Sequence, residues 1–215
     1  MNNILVPIGT SPDSSQTLQY AVDFASNFGA KVYVMDVFNV TTAVGSLANV
    51  EEKVAKSSKE HLKEVIDQVD TKGVEIKMAT YNGDIIDGLK SINKELGIDL
   101  IIIAPRSNDI QEELYLGNTS GRIIKQTEIP TLIVPKGTAF KPAKKILTAF
   151  GSGILKRSSI LTPLVMIKNK FRSEVSLLLV KRPGYTEDDL KVNTALMDLS
   201  SHLSITENGT TYLGV

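Results

Sequence analysis

Apolar, β-branched runs alternate along this chain with segments whose apolar positions recur at helical spacing. Ile4-Leu5-Val6-Pro7-Ile8 is a short run of strand type. Ser11 and Pro12 then supply an N-cap and a proline for the first helical position. Leu18, Ala21, Val22, Ala25 and Phe28 keep helical spacing, and Gly29 is placed to end that helix in the left-handed conformation. Residues 32–37 read as a second strand. A connection from Asn39 to Asn49 is longer than usual. The charged segment 50–69 predicts a helix that turns Val54, Leu62, Val65 and Ile66 to the core. Residues 74–79 alternate as a third strand, and 84–96 predict a helix closed by Gly97. Residues 100–104 form an unbroken apolar strand, followed by a helix over 117–126 and a fifth strand over 131–134. Unalternating strands are buried on both faces, as in parallel sheets covered by helices. The β-α repeat with right-handed crossovers therefore predicts an α/β fold with an open, doubly wound, parallel five-stranded sheet.

The pattern then restarts. Ile146-Leu147-Thr148-Ala149-Phe150-Gly151-Ser152 repeats the layout of Ile4 to Thr10 at an offset of 142 residues. A helix is expected over 156–169, a strand over 175–180, and a second helix over 187–201. Residues 204–213 read as a strand or as a hairpin around Asn208-Gly209. The expected organisation is a full domain over 1–136, a linker over 137–144 and a partial β-α-β-α-β second copy over 145–215.

Composition narrows the function classes. The chain of 215 residues is 42% hydrophobic and 22% charged, an ordinary globular balance. It has no cysteine, which excludes disulfides and thiolate metal sites and fits a reducing compartment. The start lacks the pattern of a signal peptide, and no apolar run approaches the ~20 residues a membrane helix needs. A cytoplasmic protein without a membrane or nucleic-acid partner is expected. Net charge is zero but unevenly placed, with 12 basic and 18 acidic residues in 1–135 against 12 and 6 in 136–215. The bland account is solvated faces of different sign. No basic stripe is interleaved with aromatics.

Chemistry-bearing motifs are sparse. No Gly-x4-Gly-Lys-Ser/Thr loop or Gly-x-Ser-x-Gly elbow is present, so no catalytic residue is named and no enzyme is expected. His61 and His202 lie far apart in sequence, and His61 stands among Lys59, Glu60 and Lys63, which reads as a surface position with no metal site. Asp36 at a strand end reads as a capping or solvated carboxylate. Thr10 and Ser11 are accounted for by capping, and the Asp13-Ser14 pair is too little to signal an adenylating enzyme.

Three stretches together resemble the universal stress protein family. They are Ile4-Leu5-Val6-Pro7 before a serine-containing turn, Asn82-Gly83-Asp84 before a helix, and the segment 99–135 with Leu116-Gly117-Asn118-Thr119-Ser120 and Ile129-Pro130-Thr131-Leu132-Ile133-Val134-Pro135. The resemblance spans about 1–136 and implies a Rossmann-like fold of the adenine nucleotide α-hydrolase type. It also implies a stress-response regulator, with tandem members whose two domains pair. Many members hold ATP through Gly-x2-Gly-x9-Gly-Ser/Thr, where glycines admit backbone N–H groups to phosphates. Aligned on Gly117, the earlier glycines fall on Ala104 and Ser107, Asn118 takes the Ser/Thr position, and Pro105 removes a donor. The acidic residue that relatives carry after the first strand is Gly9 here. The resemblance thus implies a module that works through dimerisation or an unidentified protein partner, with no cofactor. The alternative is an adenine-nucleotide sensor taking ATP with Mg²⁺ in a degenerate loop. Its candidate contacts are Pro7, Gly9, Thr10, Val37, Ala104, Arg106, Ser107, Gly117, Asn118, Thr119 and Ser120. The fifth strand, Thr131, Leu132, Ile133 and Val134, is the expected homodimer edge.

Overall fold

In the computed structural model, described for residues 1–9, 11–40, 48–105, 118–150, 158–181, 194–199, 202–207 and 210–213, the first strand is central rather than peripheral. β1 (Asn3–Ile8) pairs in parallel with β2 (Lys31–Phe38) on one side and with β4 (Leu100–Ile103) on the other. β3 (Ile76–Asn82) and β5 (Thr131–Ile133) complete a parallel sheet of order β3-β2-β1-β4-β5. This is the predicted five-stranded α/β architecture, and it places the reversal of strand order between β1 and β4.

The helices α1 (Ser14–Phe28), α2 (Ala48–Asp67), α3 (Ile85–Leu96) and α4 (Asn118–Gln126) divide between the two faces. Leu5, Tyr33, Met35, Ile101 and Ile103 pack with Ile86 and Leu89 of α3 and Ile123 of α4. The alternate positions Ile4, Val6, Val32, Val34 and Ile102 are equally buried and point the other way. There α1 and α2 lie against β1 and β2. Gly29 and Gly97 end α1 and α3 with φ of 65° and 61°, and each N–H returns to a carbonyl four residues back, Ala25 and Asn93. Only glycine enters that region without strain.

The start of α1 and both ends of β3 differ from expectation, the first because of a local turn and the others because of strand pairing. α1 starts at Ser14 because Ser11 to Ser14 close a turn first, Ser14 N–H reaching Ser11 O at 3.1 Å. β3 starts two residues late and runs on to Asn82, since β2 extends to Phe38 and pairs with it over its whole length. The strand therefore delivers Asn82-Gly83-Asp84 directly to α3. Asp84 caps that helix, accepting from Ile86 N–H at 2.9 Å.

The chain divides into two compact units, Met1–Phe140 and Lys141–Val215. In the first unit Phe140 meets Tyr20 and Phe24 edge-on, with centroids 5.5 and 6.0 Å apart. The second unit holds β6 (Lys145–Phe150), a 3₁₀ turn (Ser158–Leu161), α5 (Thr162–Phe171), β7 (Glu174–Lys181), α6 (Thr194–Leu199), β8 (His202–Glu207) and β9 (Thr210–Leu213). β6, β7 and β8 are parallel, and β9 folds back antiparallel on β8, so the hairpin is found rather than a single strand. The helix expected from 156 starts at Thr162 because Pro163 has no N–H to donate and fits only the first turn. Leu161, Val175, Leu177, Leu196 and Leu199 form this unit's core, while β6 at the sheet edge leaves Leu147 69% exposed.

A crevice at the strand ends

Strands β1, β2 and β4 all end at one crevice, and α1, α3 and α4 all begin there. Its walls enclose a cavity of about 300 Å³. In parallel α/β sheets, ligands bind outside the carboxyl ends of the strands where the order reverses, and β1 and β4 flank that point here. Its apolar lining comes from Ile8, Val37, Ile85, Ile103 and Ile123. Its polar lining carries the hydroxyls of Ser11, Ser14, Thr17, Thr119 and Ser120, the carboxylates of Asp13 and Asp36, and the Lys136 ammonium. Helix starts add unpaired N–H groups and a favourable dipole for negative charge.

Each polar group is set by its element. Asp13 stands at the N-cap of α1 but makes no side-chain cap hydrogen bond. Its carboxylate instead takes Lys136 Nζ at 2.9 Å. Gly9 O accepts from Ser14 Oγ at 3.0 Å and lies 3.3 Å from His61 Nε2, so the end of β1 is tied to both α1 and α2. His61 is thus half-buried against Gly9, not the surface residue its charged neighbours suggested. Asp36 likewise neither caps a helix nor stands in open solvent. It lines the crevice and accepts from Ser58 Oγ of α2. Beside the crevice, Arg122 Nη2 meets Asp84 Oδ2 at 2.7 Å. The Arg122 guanidinium, with the Ile86 N–H, holds the Asp84 carboxyl below the usual carboxylate range.

Of the candidates from sequence, Pro7, Gly9, Val37, Ala104, Thr119 and Ser120 come together in this lining. Thr10, Arg106, Ser107 and Gly117 lie outside the described residues, and Asn118 is the first residue of α4. Asp13, Ser14, Thr17, Asp36 and Lys136 were not among them. A signal for Asp36 existed: a carboxylate continuing the buried side of an apolar strand is costly unless it has a partner or a use.

A model of the universal stress protein family matches residues 1–135. The chain belongs to that family. The universal stress protein MJ0531 of Methanocaldococcus jannaschii is 27% identical over 138 residues, covering 62% of this chain and 81% of the relative. Among solved structures, a universal stress protein of Archaeoglobus fulgidus superposes with a TM-score of 0.71 at 19% identity, over 96% of this chain and 79% of that one. Another universal stress protein, solved in complex with cAMP, gives a TM-score of 0.50 at 17% identity over 62% of this chain and 96% of its own. At these identities the structural likenesses describe the fold.

No helix among the described residues is long and apolar enough to cross a membrane.

Proposed function

We propose that this universal stress protein is a regulatory module of the stress response that takes an adenine nucleotide in the crevice at the ends of β1, β2 and β4. It acts by binding and by contact with another protein rather than by catalysis. The observation that carries the reading is the cavity itself. It lies at the point of strand reversal and faces three helix starts, and its lining offers apolar side chains to a flat base and hydroxyls to the rest of a nucleotide. A volume of about 300 Å³ is at the small end of ligand pockets. The related universal stress protein solved with cAMP is a precedent for a nucleotide ligand on this fold.

The hold on a triphosphate is expected to be weak. Ala104 and Pro105 occupy wall positions where closer backbone approach would serve a phosphate. The Lys136 ammonium is already engaged by Asp13, and Asp36 adds a second negative charge. Assembly is proposed at β5, which among the described residues has β4 as its one neighbour in the sheet. Two such edges from two copies suit a homodimer. Val134, buried beyond the strand end, holds the edge down through its N–H on Ile103 O at 2.8 Å.

Calorimetric titration with AMP and with ATP and Mg²⁺, alongside light scattering, tests both parts. Micromolar AMP binding, weaker ATP binding and twice the chain mass are expected. No heat with either nucleotide removes the ligand reading, and a monomer mass across micromolar concentrations removes the homodimer.

A further inference from the structure

Among the described residues, Asp36 is the carboxylate of the crevice that no cation meets. Parallel pairing sets Asp36 opposite Ile8, so it ends beside Gly9 where β1 leaves the sheet. Ser58 on α2 donates its hydroxyl to Asp36 Oδ2. Ser58 is only 6% exposed, so little water competes for that hydrogen bond. The carboxylate is therefore held in one orientation before any ligand arrives. Among the described residues nothing donates to Oδ1, and the Lys136 ammonium is taken by Asp13. The next residue, Val37, is part of the apolar lining of the crevice.

A fixed carboxylate whose second oxygen has no donor among the described residues, at the end of the second strand of a parallel sheet in a crevice with apolar lining, suits a ligand with hydroxyl donors beside a flat apolar group. A carboxylate in this relation to the sheet is placed to accept from ribose hydroxyls. We propose that Asp36, steadied by Ser58, reads the ribose of the nucleotide, so that the crevice selects an intact 2′,3′-diol. The inference rests on the nucleotide reading above and adds the specificity to it. The gain follows from chemistry: a hydroxyl donating to an ionised acceptor makes one of the stronger hydrogen bonds. A ligand lacking the hydroxyls leaves the carboxylate without a replacement for the water it lost.

The test is calorimetric titration of the full chain with AMP, adenosine and 2′,3′-dideoxy-AMP, repeated on Asp36→Asn and Ser58→Ala. In the unaltered protein AMP is expected to bind at least about tenfold more tightly than the dideoxy compound. Asp36→Asn keeps an oxygen for Ser58 but removes the charge, and the ratio should fall towards one through loss of AMP affinity. Ser58→Ala should narrow the ratio while dideoxy-AMP affinity stays the same. Equal affinities in the unaltered protein, or a ratio preserved in Asp36→Asn, overturn the role of Asp36 and leave the nucleotide reading standing. If neither AMP nor adenosine binds, both fall. The comparison within the unaltered protein decides the matter even if a variant fails to fold.

Discussion

Replacing Gly88 by alanine probes how closely α3 is seated on the sheet, and the sign of the effect is informative. Gly88 lies inside α3, where alanine would ordinarily gain up to about 1 kcal/mol through helix propensity. A Cβ built there would stand 2.4 Å from Met35 Cε and 2.9 and 3.0 Å from Tyr81 Cδ1 and Cγ. Met35 is fully buried, so its terminal methyl has no open space to move into. The Tyr81 ring also rests against Gly83, 3.0 Å from where a Cβ would stand. Overpacking of this kind costs about 1–3 kcal/mol. The net expectation is a loss of about 1 kcal/mol. With a urea slope of roughly 2–3 kcal/mol per molar, the midpoint should fall by about 0.4 M. In a Met35→Ala background the space opens and the penalty of Gly88→Ala should shrink, a coupling that a double-mutant cycle measures. Gly88→Ala that leaves the midpoint unchanged or raises it would refute the close seating of α3.

Three further outcomes are expected. Leu89→Ala, at a fully buried position on the same helix, should cost about 2–5 kcal/mol in equilibrium unfolding, and a loss below 1 kcal/mol would mean the α3 core is looser than described. The Asp84 carboxyl, lowered first by the Arg122 hydrogen bond, contributes stability that is complete above the ordinary value of about 4 and disappears as pH falls through the lowered folded value. Arg122→Ala should therefore move the Asp84 titration, followed by carboxyl NMR, to higher pH. An unmoved titration would discount the pair. Lys136→Ala should change stability by less than about 1 kcal/mol, since the lysine side of the ion pair is well exposed. It should also weaken AMP binding severalfold at low salt, with the difference closing at high salt. Equal binding at low salt would place the phosphate away from Lys136.

Much of the fold was legible because it depends on period and punctuation. The unbroken run 100–104 announced a strand covered on both faces, and Gly29 and Gly97 marked two helix ends correctly. What sequence did not reveal depends on pairing. That β3 ends at Asn82 follows from how far β2 runs, which no local pattern records. His61 looked solvated because Lys59, Glu60 and Lys63 surround it in sequence, yet a helix turns successive residues to different sides and brings its ring to Gly9. The site was legible as far as the family motifs reach, through Pro7, Gly9, Val37, Ala104, Thr119 and Ser120. Asp36 and Ser58 are separated by 22 residues and meet only when α2 packs on the sheet.

The central place of β1 has a consequence for the order in which the protein is made. β1 is synthesised well before its second neighbour β4, which begins at Leu100. Until that strand arrives, β1 carries a row of unpaired N–H and C=O groups, and the crevice has only two of its three strands. Such a waiting edge is the kind of surface on which nascent chains associate wrongly, and non-local parallel pairing is slow to form. In the second unit β6 has β7 as its one strand neighbour among the described residues, with Leu147 exposed. The first unit passes through such an exposure on the way to its fold, which makes residues 9–99, between β1 and β4, the interval in which a chaperone would matter most to this chain.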